Sequence, residues 1–466
     1  MSSNRRLLFL FASVAFACAE DTTPLDGGVD ASSADVDGGT QPDARTDAEV
    51  MDGSRDVGPH DSGRPSDSGI APGTPLLDRA VDPRVNCSVE AGLASQAPRS
   101  WYQGGHAVVN RGGEAILVRT ESNPPTPFDP APTNLVFGPL EATGALGAVE
   151  TIRAIPEGVS VSAPGVAVAG DQLFVIWAES AQLSVAIDGP SGVMGPTQLG
   201  WSATEFSRVA VAAGHGGIGL IFSNYDFDSG RYTTAFGRVS AAGTPTGNPV
   251  VIRIGTDDPS ATLVATTSGW AVLLRRDSDF VFLPLAIDGT PGAPRVLVPD
   301  GELVAGRGAG FDRPRHALLP TVDGFLAAWV ESKPTFDAGA FSGIRLASLS
   351  SAGELNSQPI WVRAPEVDID EVEPELTWFG QNVALSWARG HHIYICAGCM
   401  PDHEVDTVVF DPSSMIPVSS VVTIDPPTRG GLLRRSEAWV GDTLRMAFSI
   451  TFHVHGEPGT AVVRCQ

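Results

Sequence analysis

Seven segments of this chain repeat one pattern, in which a turn rich in Gly, Asp or Asn opens an apolar run that a large residue usually closes. The segments begin at Gly112, Gly170, His215, Thr267, Val322, Gly380 and Gly441. Their closing residues recur at intervals of 45 to 61 residues. A recurrence of this kind indicates the four-stranded blades of a β-propeller, and because the intervals are long for a minimal blade, the excess must lie in loops. The repeats therefore predict an all-β fold, a seven-bladed β-propeller. Six blades is the alternative, because the first segment closes with Arg119 and not with an aromatic residue.

The second repeat shows how one blade is built. Residues 165–169, 173–178, 182–187 and 197–201 are short apolar runs of the length and composition of strands. Gly170-Asp171 and Asp188-Gly189 separate consecutive runs, and both pairs favour tight turns between antiparallel strands. The repeat therefore predicts four antiparallel strands per blade.

The last repeat lacks a fourth strand, because only residues 460–464 offer a further strand before the chain ends at Gln466. Residues 84–89, just before the first inner strand, can supply it, and this exchange removes the free edges of an open ring. It also places Cys87 beside Cys465, and we expect these two cysteines to form a disulfide in an exported protein. Cys396 and Cys399 then form the second predicted pair.

The N-terminus predicts export. Arg5 and Arg6 precede an apolar run over residues 7–17, which is too short to span a bilayer but fits the core of a signal peptide. Cys18 follows, and the arrangement resembles the signal of a bacterial lipoprotein, in which such a cysteine is lipidated. We therefore expect an outer-membrane or cell-surface lipoprotein, anchored to the membrane only through its N-terminal lipid. A periplasmic or secreted protein is the alternative.

Composition divides the chain into three parts: a signal peptide over residues 1–17, a linker over 18–75 and the propeller over 76–466. The linker is dominated by Asp, Gly, Ser and Pro and has no aromatic residue. It cannot bury enough apolar surface to offset the entropy of ordering, so we expect a disordered tether. The formal net charge of −24 argues against nucleic acid as a partner, and we expect a monomer.

Two repeats carry a family resemblance. Trp177-Ala-Glu-Ser180 and Trp329-Val-Glu-Ser332 resemble repeats of secreted and lipoprotein β-propellers of myxobacteria-like Gram-negative bacteria. That resemblance implies a seven-bladed propeller at the cell surface and carries no catalytic motif. Glu179 and Glu331 occupy equivalent places in different blades, so we assign them to packing and not to catalysis.

One face of the predicted propeller collects the long connections. Second-to-third and fourth-to-first connections share a face, and loops on a rigid scaffold are where binding usually resides. We expect ligand contact there, through residues 120–133, 223–231, 332–342, 364–374, 388–406 and 451–459.

Two of these loops contain candidate metal ligands. His391, His392, Cys396, Cys399 and His403 could hold zinc, since Cys-x-x-Cys flanked by histidines supplies a tetrahedral donor set. A disulfide between the two cysteines is the favoured reading in an oxidising compartment, and it excludes the zinc site.

Residues 224–230 offer a calcium alternative. Asn224, Asp226 and Asp228 place oxygen donors at alternate positions before Gly230, which resembles the calcium loops of integrin-type propellers. An ordinary hairpin tip explains the same residues more simply, because Asn, Asp and Gly are common in turns.

The sequence thus favours a surface module that binds a protein or a glycan at the cell envelope, with no cofactor and no assigned catalytic residue. The alternative is a metal-dependent extracellular enzyme, a polysaccharide lyase or hydrolase, built on the His, Cys and acidic residues of these loops.

Overall fold

The structure confirms the all-β class. The computed structural model describes residues 73–91, 105–122, 133–204, 209–255, 260–276, 279–299, 316–333, 341–366, 369–391, 403–424, 431–452 and 455–466. Within these residues the regular elements are strands and one turn of 3₁₀ helix, Leu76–Asp78. No helix in this part of the chain is long and apolar enough to cross a membrane. The predicted signal peptide at 1–17 and nearly all of the predicted tether at 18–75 lie outside the described residues.

The first strand, β1 (Cys87–Ala91), belongs to the last blade, and four regular blades follow it in chain order. Each is a four-stranded antiparallel sheet whose strands lie in sequence order from the centre outwards. Their strands are β2 (His106–Arg111), β3 (Glu114–Ser122), β4 (Thr133–Pro139) and β5 (Glu150–Ile155); β6 (Gly165–Ala169), β7 (Gln172–Glu179), β8 (Gln182–Gly189) and β9 (Gly192–Ser202); β10 (Ala210–Gly214), β11 (Gly217–Asp226), β12 (Arg231–Ser240) and β13 (Val250–Gly255); β14 (Ala261–Ala265), β15 (Gly269–Arg276), β16 (Asp279–Ala286) and β17 (Arg295–Val298).

The last three blades are less regular. Blades 5 and 6 are joined by one parallel bridge between Ser342 and Asp370, and blade 7 takes β1 as its outer strand. Their own strands are β18 (His316–Pro320), β19 (Gly324–Lys333), β20 (Phe341–Ser350) and β21 (Ile360–Trp361); β22 (Ile369–Phe379), β23 (Asn382–His391), β24 (His403–Asp411), β25 (Ile416–Pro417) and β26 (Val422–Ile424); β27 (Gly431–Val440), β28 (Thr443–Phe452) and β29 (His455–Cys465).

Apolar packing between blades establishes their number. The inner strands β2, β6, β10, β14, β18, β22 and β27 contact one another in that order, and β27 contacts β2. The buried apolar residues of the described chain form seven clusters, one for each pair of adjacent blades. The seven-bladed prediction is therefore confirmed, and the six-bladed alternative is wrong.

The ring closes as the sequence predicts. β1 pairs with β29, with Cys87 opposite Cys465, and a disulfide joins the two residues. Asn86 and Gln466 exchange two backbone hydrogen bonds of 2.8 and 2.9 Å just beyond the disulfide. The two ends of the chain thus complete one blade, which leaves no open edge at the junction.

Glycine at two kinds of turn explains much of the repeat. Gly112 and Gly170 open the second strands of blades 1 and 2 with φ angles of 60° and 65°, where an L side chain is crowded. The glycines of the third-to-fourth turns are restricted for a different reason. A Cβ at Gly353 would lie 2.0 Å from Cδ1 of Phe282 in the preceding blade, and one at Gly289 would lie 2.4 Å from Cδ1 of Phe236. These turns therefore pack directly on the neighbouring blade.

Several strands extend further than the apolar pattern predicts. β29 begins at His455, although the sequence predicts a strand only over 460–464. The predicted loop at 451–459 is therefore mostly a hairpin of β28 and β29, and the predicted loop at 223–231 is reduced to a tip at 227–230. The reason is that ladder hydrogen bonds continue into polar residues, which carry no alternation of apolar and polar side chains.

Candidate functional site: the loop-bearing face

The two faces of the propeller differ in how the chain crosses them. At the tight-turn face, first-to-second connections are two or three residues long, as at 112–113 and 380–381, and a bridge such as Leu140–Leu146 closes most third-to-fourth turns. The opposite face, which we call the loop-bearing face, receives the second-to-third and fourth-to-first connections. Its longest connections include residues 123–132, 300–315 and 392–402, which lie outside the described residues.

Buried charge is distributed unevenly between these faces. The charged side chains that are buried in the described chain lie either at mid-height of the ring or closer to the loop-bearing face. They are Arg253, Glu331, Glu371, Glu373, Asp406, Arg435 and Glu437. Burying an ionised group costs several kcal/mol unless it is paired and hydrogen-bonded, on the order of 3 to 5 kcal/mol when its partner is missing. Within the described residues, the buried charges that need compensation therefore lie between mid-height of the ring and the loop-bearing face.

A tryptophan, a carboxylate and an arginine form a similar unit at blades 2 and 5. In blade 2, Trp177 Nε1 donates to Glu179 at 3.3 Å, and Arg153, from the outer strand β5 of blade 1, pairs with this carboxylate at 2.8 Å. In blade 5, Trp329 Nε1 donates to Glu331 at 3.1 Å, and Arg345 donates to it at 3.1 Å. Both indoles are buried between blades, and each Glu-Arg pair lies beside a packed tryptophan at the loop-bearing end, where its carboxylate accepts the hydrogen bond of the indole N–H group. This supports the structural assignment of Glu179 and Glu331.

Blade 6 builds a related unit from different strands. Trp387 is followed two residues later by Arg389, so the position that is Glu in blades 2 and 5 carries the opposite charge. Glu371 of the neighbouring strand β22 supplies the carboxylate, opposite Arg389 in the register. Arg363 Nε lies 3.4 Å from Glu371 Oε1, and Arg363 Nη2 lies 3.3 Å from Asp406 Oδ2. One guanidinium thus joins two buried carboxyl groups.

Burial dominates the acid–base behaviour of this unit. It raises the pKa of Glu371 to about 7, against the opposing attraction of Arg363 and Arg389, while the negative Asp406 adds to the rise. Asp406 also accepts a hydrogen bond of 2.6 Å from Thr423 Oγ1. Glu371 therefore gains or loses a proton near neutral pH.

A second buried network joins blades 6 and 7. Arg435 Nη2 donates to the backbone oxygens of Glu373, at 2.6 Å, and Ser386, at 2.9 Å. Its Nε lies 3.6 Å from Glu437 Oε2, and Ser386 Oγ donates to Glu437 Oε1. Burial raises the pKa of Glu437, although Arg435 and Ser386 oppose that rise. Glu373 has a φ of 56°, at the bulge where β22 leaves its register with β23, so a strained backbone and buried charge coincide here.

A hairpin in blade 3 carries an ordered group of aromatic side chains onto the loop-bearing face. Tyr225 and Tyr232 lie opposite each other in β11 and β12, with ring centroids 4.7 Å apart. Phe227 stands at the tip, edge-to-face with Tyr225 at 4.9 Å, and is 81% exposed. The Tyr225 backbone N–H donates to Thr204 Oγ1 at 2.6 Å, which ties the hairpin to the connection that enters the blade.

Comparisons with known proteins find remote similarity to solved structures. No family model matches the chain, and no curated protein matches it. Among solved structures it is similar to the β-propeller domain of the Trilobed protease from Pyrococcus furiosus, with a TM-score of 0.41 and 9% identity over 78% of this chain and 94% of that one. It is also similar to prolyl endopeptidases, with a TM-score of 0.42 and 14% identity over 78% of this chain and 47% of theirs. It is also similar to a thermostable family-43 glycoside hydrolase, with a TM-score of 0.34 and 13% identity over 66% of this chain and 89% of that one.

The predicted zinc ligands flank one hairpin of blade 6. His391 ends β23 and His403 begins β24, where Gly390 pairs with His403. His392, Cys396 and Cys399 lie outside the described residues, so zinc and the Cys396–Cys399 disulfide both stay predictions. Among the residues that are described, no group of three or more His, Cys, Asp or Glu side chains could hold a metal ion.

The predicted calcium ligands lie on the aromatic hairpin. Asp226 accepts hydrogen bonds from the Asp228 backbone N–H at 3.0 Å and from Ser229 Oγ at 2.7 Å. These bonds, that from Ser229 first, hold the pKa of Asp226 below its usual value. Both carboxylate oxygens therefore cap the turn, as in an ordinary hairpin tip. Calcium at Asn224, Asp226 and Asp228 stays a prediction.

Sequence reasoning missed the networks around Arg363, Asp406, Arg435 and Glu437. One signal was present. In the register of the inner strands, Glu437 occupies a place that is Val or Leu in every other blade. In the register of the structure, Glu437 of blade 7 is equivalent to Leu376 of blade 6. By sequence alone, Glu437 would be aligned with the neighbouring Glu375, because both are glutamates in the inner strand. A charged residue at an apolar repeat position marks a buried ion pair.

Proposed function

We propose that the protein is an exported, lipid-anchored binding module that uses its loop-bearing face to hold a protein or glycan partner at the cell envelope. The observation that carries this proposal is the asymmetry of the two faces. Buried charge, a strained carboxylate residue and an exposed aromatic hairpin occur toward one face, while the other is crossed by short turns. Binding residues are usually placed on loops that a rigid scaffold supports.

The buried networks support the face and need not contact the ligand. Glu331, Glu371 and Glu437 are each held by an arginine of the same or an adjacent blade. Such pairs fix the ends of the strands from which the connections emerge, since breaking one leaves an uncompensated charge. A rigid platform lowers the entropy cost of binding for groups attached to it.

Binding to the envelope tests the proposal. The full chain with Cys18→Ser, which prevents lipidation, is titrated against isolated envelopes of source cells that lack the protein. We expect saturable binding, displaced by an excess of unlabelled protein and insensitive to added nucleic acid. Binding that is absent, or that never saturates, would contradict the proposal.

The anchor is tested separately. Arg5, Arg6 and the apolar run before Cys18 support lipidation of that cysteine. We expect incorporation of labelled fatty acid into the wild-type chain and its loss in Cys18→Ser, with the protein moving from the membrane fraction to the soluble exported fraction. Equal labelling of both chains would rule out Cys18 as the attachment site.

The metal-dependent enzyme remains the alternative, and zinc content separates it from the binding module. Protein purified without reductant is assayed for bound zinc and for free thiols. Stoichiometric zinc with Cys396 and Cys399 reduced would support the enzyme alternative. We expect no zinc and no free thiol at these two residues.

A further inference from the structure

We propose that the tip of the β11–β12 hairpin, residues 225–232, is a carbohydrate-binding platform for an uncharged pyranoside chain, with the exposed ring of Phe227 as the stacking surface. This inference rests on the proposed function and names the class of ligand and the residues that contact it.

The aromatic group has the geometry of a preformed stacking surface. The planes of Phe227 and Tyr225 are 87° apart, so Phe227 is braced by an edge-to-face contact while its own faces stay largely open to solvent. Tyr232 braces Tyr225 in turn from the opposite strand. An aromatic ring held in this way loses little side-chain entropy when a ligand covers it.

The backbone beneath the rings is also fixed. Asp226 caps the turn through Asp228 and Ser229, and the Gly230 N–H donates to Asp226 O at 2.8 Å. Thr204 and Ser223 hold the hairpin to the preceding connection through a backbone bond of 2.8 Å. The tip is therefore an ordered hairpin, and the exposure of Phe227 does not come from a loose loop.

The chemistry around the ring favours a sugar. A pyranose presents C–H groups on its face and hydroxyl groups at its edge, and the negative face of an aromatic ring attracts such C–H groups. Asn224, Asp228 and Arg231 are exposed on the same hairpin and can meet hydroxyl groups at the rim. A protein partner of ordinary size requires a larger apolar centre than one phenyl ring.

The charge at the hairpin tip favours an uncharged glycan over an anionic one. Within residues 225–232, two carboxylates, Asp226 and Asp228, accompany one cation, Arg231, and the hydrogen bonds that hold the pKa of Asp226 low keep its carboxylate ionised in the turn. An anionic polysaccharide would meet repulsion here. An uncharged glycan avoids that repulsion and still gains stacking and hydrogen bonds.

The test uses the full chain with Cys18→Ser and three neutral probes, cellohexaose, maltohexaose and chitohexaose, in isothermal titration calorimetry. We expect measurable affinity for at least one probe. Phe227→Ser should weaken it by about tenfold or more, the scale of a central aromatic contact, and Phe227→Trp should retain it. The matched control is Val322→Ser, at an apolar residue that is fully exposed on the tight-turn face, and it should leave the affinity unchanged.

Failure of this inference is distinguishable from failure of the proposed function. No affinity for any probe, or equal affinity in Phe227→Ser and wild type, would overturn the carbohydrate platform. Envelopes treated with protease and envelopes oxidised with periodate then decide the partner. Binding lost only after protease would indicate a protein partner, leaving the binding module in place while the carbohydrate inference fails. Binding lost only after periodate, and weakened by Phe227→Ser, supports the platform.

Discussion

The tight-turn face and the loop-bearing face are made from the same seven repeats but are stabilised differently. At the tight-turn face, ion pairs keep some contact with solvent: the side chains of Arg111 and Asp188 are 22% and 13% exposed, and those of Arg464 and Asp442 are 32% and 45% exposed. Between mid-height of the ring and the loop-bearing face, pairs such as Arg435–Glu437 are fully buried. Repetition does not explain Glu437, because the equivalent position is Val or Leu in every other blade. We infer from this difference that the loop-bearing end carries the binding surface proposed above.

Closure of the ring places one further constraint on the tight-turn face. The Cys87–Cys465 disulfide lies at the end of β29 that faces this side, and it closes a loop with a sequence separation of 378 residues. Substituting both cysteines by serine should lower the free energy of unfolding by about 5 kcal/mol, because the unfolded chain regains the entropy of an open loop. Urea unfolding measures this value. Under reducing conditions the wild type should match the double variant, and a loss below about 1 kcal/mol without reductant would show that strand pairing alone closes the ring.

The buried pair of blade 7 should give the next largest effect. Arg435→Leu leaves Glu437 without its cation in a buried site, and we expect a loss of about 4 kcal/mol in the free energy of unfolding. Arg464→Leu, at the tight-turn face, is the matched control and should cost several-fold less. The double variant R435L/E437L should recover much of the stability, since it removes both charges. Equal losses for Arg435→Leu and Arg464→Leu would erase the proposed contrast between the faces.

Glu371 should make stability depend on pH in an unusual direction. Its pKa is raised from 4.5 to about 7 in the folded chain, so between these values the folded state holds a proton that the unfolded state has released. The stabilisation is present below pH 4.5 and is lost as the pH rises through 7. Relative to Glu371→Gln, which stays neutral, the wild type should lose about 2.5 kcal/mol between pH 5 and pH 8. Parallel stability curves for the two proteins would contradict this assignment.

Glu179 provides the smallest expected effect and the opposite sign. Its hydrogen bond from Arg153 holds the pKa of the carboxylate below its usual value, so the stabilisation is present near neutral pH and is lost as the pH falls through that lowered value. The side chain of Arg153 is 38% exposed, and solvent screening reduces the value of the pair to about 0.5 kcal/mol. Thermal unfolding of Glu179→Gln at pH 7 checks it. A loss comparable with that of Arg435→Leu would show that burial does not distinguish these pairs.

Much of the scaffold was predictable from the sequence. The Gly-opened repeats predict seven blades, and the missing strand after residue 464 predicts both the closing strand and the Cys87–Cys465 pair. These features depend on local patterns and on chain order. Strand ends were less predictable, because Tyr232 and His455 lie in hairpins whose ladders continue past the apolar alternation.

The candidate site was harder to predict from the sequence than the scaffold, for a different reason. Arg363, Glu371 and Asp406 come from three elements that only the blade brings together, and no spacing in the sequence relates them. Residues 223–231, which include Tyr225 and Phe227, were among the predicted contact loops. Their function as an ordered surface depends on the cross-strand contact with Tyr232, which requires the register of the hairpin.

Selective blocking of each face tests the central claim, that the loop-bearing face is the binding face. Asp228→Cys at the aromatic hairpin and Val322→Cys at the tight-turn face, both in the Cys18→Ser chain, are labelled with a bulky maleimide polymer. The parent chain, treated in the same way, controls for the native cysteines. The labelled Asp228→Cys protein should lose saturable binding to envelopes, while the labelled Val322→Cys protein should bind like the parent. Loss of binding only when residue 322 is labelled would contradict the account.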